Sequence, residues 1–250
     1  MASAPTLSIV VPAYNEERRL EATLTSLTSF LQTQPWAWEI RVVDDGSADG
    51  TCAVVEAWAR TAPRVVLQRE PHRGKGGAVK AGLLAARADY RFICDADLSM
   101  PIAELPRFLP PQLPTFDVAI GTREGHGARR IGEPFSRHLA GRAFNYAVQQ
   151  LTVPGIEDTQ CGFKMFTAAA VEAIFPFVTV DGWAFDIEVL CIARRKGLRI
   201  VEVPIEWHYR PESKVSLVRD GVRMLREMLA IRARARRGEY DREAAPVRRR

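Results

Sequence analysis

The stretch Leu7–Glu16, which reads LSIVVPAYNE, joins a β-branched run, Leu7–Val11, to a proline and several polar residues. Glu39–Val43 (EIRVV) and Tyr90–Cys94 (YRFIC) are likewise followed by polar residues. Short β-branched runs bounded by turn-forming residues are typical of strands. Two further runs complete the predicted set of strands, Arg64–Gln68 (RVVLQ) and Asp117–Gly121 (DVAIG).

Helical periodicity fills the intervals between these strands. Apolar residues recur three and four positions apart in Glu16–Leu31, Thr51–Ala59 and Lys75–Ala86. Alternating strands and helices predict an α/β fold, with a mostly parallel central sheet and helices on both of its faces. Ligands of such sheets bind beyond the carboxyl ends of the strands. The residues that follow each strand are therefore the first candidates for a functional site.

Composition limits the class of protein. The chain has 250 residues, of which 47% are hydrophobic and 26% charged, and this balance excludes collagen-like, low-complexity and disulfide-scaffold proteins. No apolar run approaches the roughly 18 residues of a membrane span, and no signal peptide is expected. The four cysteines are scattered, so we expect reduced thiols and a cytoplasmic protein.

Positive charge is concentrated at the C-terminus. The net charge is +5, but residues 219–250 hold 11 Arg against 5 Asp or Glu, so the rest of the chain sums to −1. Residues 218–237 have the apolar spacing of a basic amphipathic helix, and residues 238–250 resemble a disordered tail. The helix would lie on an anionic membrane surface or pack on the domain with solvated arginines. Nucleic-acid binding is not expected, because no recognised module or stacking aromatics accompany the arginines.

Acidic residues follow two of the predicted strands. Asp95 and Asp97 flank one small residue directly after Tyr90–Cys94, and their charges repel unless a cation compensates. Carboxylate oxygens suit Mg2+ or Mn2+ held jointly with substrate phosphates. Asp44 and Asp45 have the same position after the second strand, although a turn or helix cap explains them equally well.

The glycine-rich segment 72–77 (HRGKGG) lies before the third predicted helix. It differs from a P-loop because Gly76 follows Lys75 where Ser or Thr is required, and no Gly-x-Gly-x-x-Gly follows the first strand. The segment is either a phosphate-binding turn around Lys75 or an ordinary glycine turn.

Taken in order, the motifs VVPAYNEERRL, VVDDGSADGT, HRGKGGAVKAGL, FICDADLS, DTQCGFKMF and GWAFDIEVL resemble glycosyltransferase family 2, as does VPIEWHYRPESKVS near the C-terminus. They are most similar to its branch of dolichyl-phosphate β-glucosyltransferases and other polyprenyl-phosphate glycosyltransferases. The resemblance covers about residues 7–217 and implies the GT-A nucleotide-diphospho-sugar transferase fold over residues 1–217.

The resemblance also implies roles for individual residues. A divalent metal, Mg2+ or Mn2+, would be held by Asp97 with Asp95, although Ser99 stands where some related mannosyl enzymes carry Gln. Asp158 matches the base of inverting enzymes. Apart from the resemblance, Asp186 is a second candidate for the base, although capping of a helix over Ile187–Arg195 explains it at least as well. The nucleotide-sugar would contact Pro12, Ala13, Tyr14, Glu16, Asp44, Lys75 and Asp95; phosphate oxygens or the acceptor would contact Arg123, Arg137, Ser213 and Lys214.

The basic, glycine-containing segment 123–142 includes Arg123 and Arg137. We predict either a mobile loop that closes on an anionic acceptor or a solvated loop of no special role. An alcohol acceptor would need a base, whereas a phosphate monoester is mostly dianionic at neutral pH, since its second pKa is roughly 6. With a lipid phosphate, Asp158 would orient groups or hold a cation.

The function implied is transfer of a hexose with inversion, preferentially glucose from UDP-glucose, onto a polyprenyl or dolichyl phosphate. The enzyme would be cytoplasmic, with a peripheral position at the membrane face. Two alternatives keep the donor chemistry: a soluble hydroxyl acceptor, or GDP-mannose as the donor. A third alternative is a catalytically idle nucleotide-sugar-binding or adaptor protein, which the intact Asp95, Asp97 and Asp158 disfavour.

Overall fold

A computed structural model describes residues 6–210 and 219–242 of the chain. Within these residues, seven strands form the central sheet in the order β3-β2-β1-β4-β7-β5-β8. They are β1 (Thr6–Ala13), β2 (Ala37–Asp45), β3 (Val65–Glu70), β4 (Tyr90–Ile93), β5 (Val118–Thr122), β7 (Lys164–Thr167) and β8 (Ile200–Pro204). Neighbours in the sheet are parallel except β7, which runs antiparallel to β4 and β5. A separate parallel pair joins β6 (Arg129–Ile131) to β9 (Glu206–His208).

Helices cover both faces of the sheet, as the side chains of β1 illustrate. The helices are α1 (Glu17–Gln32), α2 (Thr51–Thr61), α3 (Lys75–Ala85), α4 (Phe135–Leu151), α5 (Ala168–Ile174), α6 (Phe185–Arg195) and α7 (Arg219–Arg236). Val10 belongs to the core cluster that includes residues of α3, α5, α6 and α7, whereas Ile9 and Val11 belong to the cluster on the other face, with residues of α1 and α2. This alternation follows from the two-residue period of a strand.

The predicted α/β class and mostly parallel sheet are confirmed, and each of the five predicted strands is present as β1 to β5. The loop predicted over residues 123–142 is wrong. Residues 129–131 form β6, and α4 begins at Phe135. Strand β6 has three residues and is too short to show the alternation of apolar and polar residues that predicts a strand. Its partner β9 lies more than 70 residues away in sequence.

Helix α7 packs against the domain. Met224, Met228 and Ile231 are buried in the core between α7 and α6, while Leu225 and Leu229 are exposed. Within residues 6–210 and 219–242, no helix combines the length and hydropathy that a bilayer-spanning helix requires.

The first residues after α7 pack against the domain, although the sequence predicts a disordered tail there. Tyr240 is buried, and its hydroxyl donates a hydrogen bond to the Glu188 carboxylate at 2.7 Å. Asp241 forms a salt bridge with Arg195. The predicted disordered tail therefore does not start at residue 238; residues 243–250 lie outside the described part of the chain.

Candidate active site

A cavity of about 620 Å³ opens at the carboxyl ends of β1, β2 and β4, where the topology predicts a ligand. It brings together most of the residues that the sequence singled out. Asp44 is not among the lining residues, and Ser213 and Lys214 lie outside the described residues. The predicted residues that line the cavity are Pro12, Ala13, Tyr14, Glu16, Lys75, Asp95, Asp97, Arg123, Arg137, Asp158 and Asp186.

Four of these residues form what we term the acidic cluster: Lys75, Asp95, Asp97 and Asp186. The Lys75 ammonium lies 2.5 Å from Asp95 Oδ1 and 5.5 Å from the centre of the Trp183 ring. Burial disfavours the charge on Lys75, but the Asp95 and Asp186 carboxylates outweigh this and raise its pKa. Lys75 is therefore a permanent cation beside the acidic residues.

Two glycines shape the acidic cluster. A Cβ at Gly162 would overlap the Asp95 carboxylate, so any side chain at this position would displace that carboxylate. The Gly76 amide donates to the Asp181 carbonyl at 2.8 Å, and a Cβ there would lie 2.6 Å from the Val180 carbonyl. The glycine-rich segment is thus held tightly against residues 180–181, and this contact directs Lys75 into the cavity.

Asp95 and Asp97 meet the chemical requirements of a hard divalent cation, because both carboxylates face the cavity. Asp97 Oδ1 accepts a hydrogen bond from the Ser99 amide at 2.9 Å, which fixes the carboxylate. Within the described residues, no three acidic, histidine or cysteine side chains are arranged so that they could hold a metal ion by themselves. Two protein carboxylates suit Mg2+ or Mn2+ bound mainly through substrate phosphates and water.

The expectation that Asp44 faces the nucleotide is not met, and Asp45 lines the cavity instead. Asp44 is buried and accepts a hydrogen bond from the Ser47 amide at 3.2 Å, so it holds the turn after β2. Asp45 accepts hydrogen bonds from the Arg73 and Gly74 amides, each at 2.9 Å. Adjacent acids on a strand point to opposite sides, and the sequence does not say which one faces the ligand.

His72 is a cavity residue that the sequence analysis did not assign. Its Nδ1 lies 2.8 Å from Asp45 Oδ2, and its ring stacks on Tyr14 with 4.2 Å between the centroids. The stacked pair makes a flat aromatic surface beside a carboxylate, which is a suitable environment for a nucleotide base. The feature of the sequence that could have indicated a ligand-binding role for His72 is its position at the start of the glycine-rich segment.

Arg123 and Asp158 form a buried, two-pronged ion pair. Arg123 Nε and Nη2 donate to Asp158 Oδ2 and Oδ1 at 2.6 and 2.8 Å, and the Arg123 amide donates to Oδ2 at 3.0 Å. Burial alone would raise the pKa of Asp158, but the charge and hydrogen bonds of Arg123 reverse the effect and lower it to about 2. Such a carboxylate is a weak proton acceptor at neutral pH.

Aromatic rings and further arginines surround this pair, and we term Arg123, Arg130, Arg137 and Asp158 the arginine cluster. Arg123 and Arg130 lie 5.3 and 5.9 Å from the Trp207 ring centre, and Arg137 lies 5.4 Å from that of Tyr209. Arg130 also pairs with Glu124 and Glu133. Trp207 and Tyr209, the two outer aromatic residues of the WHY motif, therefore lie against the arginines.

A second buried ion pair joins β7 to α6. Lys164 Nζ lies 2.7 Å from Asp186 Oδ1, and Asp186 faces the cavity. Burial raises the pKa of Asp186, and the nearby Lys164 and Lys75 only partly offset it. The sequence analysis did not identify Lys164 as a site residue. A lysine among the apolar residues of FKMF nevertheless indicates a buried charge that needs an oppositely charged partner.

Comparison with known proteins places the chain in a family. A family model, Glycosyl transferase family 2, matches residues 8–175. The dolichyl-phosphate beta-glucosyltransferase of Saccharomyces cerevisiae is 34% identical over 247 residues, covering 90% of this chain and 74% of that protein. The human protein of the same name is 32% identical and covers 94% of this chain and 77% of its own length.

Solved structures agree on the fold. Glucosyl-3-phosphoglycerate synthase from Mycobacterium tuberculosis in complex with UDP has a TM-score of 0.68 at 21% identity, covering 94% of this chain and 80% of that one. Mannosyl-3-phosphoglycerate synthase from Rubrobacter xylanophilus also has a TM-score of 0.68 at 21% identity, covering 94% and 75%. The fold is therefore GT-A, and the chain belongs to glycosyltransferase family 2.

Proposed function

We propose that the protein is an inverting, metal-dependent hexosyltransferase that moves glucose from UDP-glucose onto a polyprenyl or dolichyl phosphate. The observation that carries the proposal is one cavity containing both the acidic cluster and the arginine cluster. The acidic cluster suits a diphosphate bound with a divalent cation, and the arginine cluster suits an anionic acceptor. The likeness to dolichyl-phosphate beta-glucosyltransferases of yeast and human supports this choice of substrates.

The donor would bind across the carboxyl ends of β1, β2 and β4. The nucleotide base would stack on Tyr14 and His72. Asp45, in place of Asp44, would be the carboxylate near the base, and Asp95 would contact the ribose. Pro12, Ala13 and Glu16 complete this side of the cavity. Mn2+ is present with UDP in a complex of the mycobacterial synthase.

Asp97 and Asp95 would hold Mg2+ or Mn2+, which neutralises the negative charge on the departing diphosphate. Lys75 would add its charge on the same side, because its raised pKa keeps it protonated. These groups stabilise the leaving group most when the sugar–phosphate bond is broken.

Asp158 would act through Arg123. A phosphate acceptor brings its own negative oxygen to the sugar, so no strong base is required. With its pKa near 2, Asp158 stays ionised and fixes the Arg123 guanidinium for contact with phosphate oxygens. Arg137 would contact the same acceptor, and Ser213 and Lys214 remain predicted phosphate contacts. If the acceptor were a hydroxyl, Asp186 would be the better base, because its pKa is raised.

We also propose a peripheral position on the cytoplasmic face of a membrane, where a polyprenyl phosphate is found. Residues 1–217 would form the catalytic unit and residues 218–237 a basic helix. The buried Met224, Met228 and Ile231 mean that this helix is part of the core, so its removal would expose apolar surface. Point variants therefore test membrane binding better than truncation.

A donor and acceptor screen tests the function. Full-length protein is incubated with UDP-glucose or GDP-mannose and with a short polyprenyl phosphate or 3-phosphoglycerate, in Mn2+, Mg2+ or chelator, and products are identified by mass. We expect glucosyl prenyl phosphate from UDP-glucose with metal. Transfer to 3-phosphoglycerate alone would favour a soluble acceptor, and no transfer from any donor would overturn the proposal.

A further inference from the structure

The outer face of α4 carries large apolar side chains that are mostly exposed. Phe135, Leu139 and Tyr146 are 79%, 59% and 66% exposed, and Phe135 is the most exposed large hydrophobic side chain in the described part of the chain. Single exposed apolar residues are ordinary on protein surfaces, but several on one helix face mark an interaction site.

Helix geometry gathers these three residues into a single strip. At about 100° per residue, Phe135, Leu139 and Tyr146 fall within an arc of roughly 40°. The opposite side of α4 packs on the core through Phe144, which is half-buried, and Val148, which is fully buried. Helix α4 therefore has two apolar faces, and only one of them is covered by this domain.

The same helix borders the cavity. Arg137, Gly141, Arg142 and Asn145 line it from α4, so the exposed strip lies beside the cavity mouth. Asn145 Nδ2 donates to the Glu157 carbonyl at 2.6 Å, and its Oδ1 accepts from the Thr159 hydroxyl at 2.9 Å. These hydrogen bonds join α4 to the segment that carries Asp158. A ligand bound by the arginine cluster would leave the cavity close to the apolar strip.

Positive charge surrounds the strip. Arg129 lies in β6 next to Arg130 and Ile131, shortly before Phe135; its side chain is 71% exposed and lies 3.1 Å from the Glu206 carboxylate. Arg142 lies on the helix between Leu139 and Tyr146; its side chain is also exposed and lies 3.5 Å from Glu124. Residues 123–142 hold five Arg against two Glu, so the ion pairs leave a net positive charge beside the strip. Exposed Phe, Leu and Tyr bordered by arginine match the interfacial zone of an anionic bilayer.

We propose that the outer face of α4, consisting of Phe135, Leu139 and Tyr146, enters the surface of an anionic phospholipid bilayer. The polyprenyl chain of the acceptor then stays in the membrane while its phosphate reaches the arginine cluster. This second statement rests on the proposed function, whereas the bilayer contact does not. Helix α7 contributes less, because Met224, Met228 and Ile231 are buried in the core and Leu225 and Leu229 are only about half exposed.

Vesicle flotation tests the bilayer contact directly. Full-length protein is mixed with vesicles of phosphatidylcholine and phosphatidylglycerol, or of phosphatidylcholine alone. We expect the double variant Phe135→Ser/Leu139→Ser to lower the partition coefficient on anionic vesicles roughly 30-fold, since two large apolar side chains lose their burial. Leu84→Ser, at an exposed leucine of α3, and Leu225→Ser/Leu229→Ser on α7 are the matched controls, expected to change it less than about threefold.

An activity assay separates this inference from the proposed function. With a short, water-soluble prenyl phosphate, Phe135→Ser/Leu139→Ser should retain wild-type turnover, because neither residue lines the cavity. With a long-chain prenyl phosphate in vesicles, turnover should fall in parallel with binding. If no prenyl phosphate is a substrate, the proposed function fails while the flotation result still decides the bilayer contact.

Three results would overturn the inference. One is unchanged flotation of the α4 double variant, and another is an equal loss in the α7 double variant. The third is a concentration-dependent dimer, detected by sedimentation velocity, that the α4 substitutions dissociate without affecting flotation. That outcome would assign the face to a second copy of the chain.

Discussion

The acidic cluster and the arginine cluster each contain a buried carboxylate paired with a cation, yet the two pKa values move in opposite directions. Asp158 receives three hydrogen bonds from Arg123, and its pKa falls to about 2. Asp186 is paired with Lys164, whose ammonium also donates to the Cys161 carbonyl, and its pKa rises. A two-pronged arginine compensates for burial where a shared lysine does not.

The difference separates two roles that a sequence motif cannot distinguish. Asp158 is a fixed anion that orients Arg123, whereas burial makes Asp186 hold its proton more readily than an ordinary aspartate does. Substitutions in one cluster at a time should therefore have different effects on turnover, stability and pH dependence.

The largest effect is expected for Asp97→Asn in the acidic cluster. Loss of one of two metal-binding carboxylates should lower kcat by about 1,000-fold, measured as product formation in Mn2+. The melting temperature should be unchanged, because Asp97 is at the cavity surface. Glu56→Gln, at an exposed carboxylate paired with Arg69, is the control and should retain full activity. Comparable turnover in Asp97→Asn and wild type would contradict the assignment.

The next effect is expected for Arg123→Ala, which leaves Asp158 charged and buried without its partner. The free energy of unfolding should fall by about 3–5 kcal/mol in chemical denaturation. Turnover should fall by roughly 100-fold. The double variant Arg123→Ala/Asp158→Ala should regain much of the stability but not the turnover. Recovery of both would show that Arg123 has only a structural role.

The pH dependence of kcat distinguishes the two carboxylates. With its pKa near 2, Asp158 is ionised throughout the range of an activity assay, so Asp158→Asn should lower kcat by the same factor from pH 5 to pH 8. With its raised pKa, Asp186 gives up its proton at a higher pH, so any acid limb should change in Asp186→Asn. An acid limb that disappears only in Asp158→Asn would reverse the assignment.

Stability in acid should depend on Asp158. Its pKa is lower in the folded chain than the ordinary 3.8, so the folded state binds this proton less readily than the unfolded state. Its contribution of about 2 kcal/mol is complete above about pH 5 and is lost as the pH falls towards 2. Denaturation curves of Asp158→Asn should lack this component. Equal pH dependence in wild type and variant would rule it out.

The smallest effect is expected for Arg142→Ala. Its guanidinium is exposed and lies 3.5 Å from Glu124, a contact worth less than about 0.5 kcal/mol. Turnover with a soluble acceptor should change less than about twofold. A loss as large as that of Arg123→Ala would extend the arginine cluster to Arg142.

The sequence was sufficient for the half of the fold that repeats strand, helix and turn. Strands β1 to β4 and helices α1 to α3 carry their own periodicity, and the residues after β1 and β4 line the cavity as predicted. The choice between Asp44 and Asp45 was not predictable, because it depends on the twist and register at the end of β2.

The second half depends on contacts distant in sequence. Strand β6 exists because it pairs with β9, and β7 because it lies between β4 and β5. The predicted loop over residues 123–142 was wrong for this reason. Asp158 was found by resemblance, but its ion pair with Arg123 spans 35 residues and required the fold. Lys164, His72, Trp207 and Tyr209 were missed as site residues in the same way.

Binding of UDP, measured by isothermal titration calorimetry, shows whether Asp95 and Asp97 hold a metal ion together with the nucleotide. We expect UDP to bind the wild-type protein at least about tenfold more tightly in Mn2+ than in chelator, and Asp97→Asn to remove this difference. Equal affinity for UDP with Mn2+ and with chelator would contradict a nucleotide site built on Asp95 and Asp97.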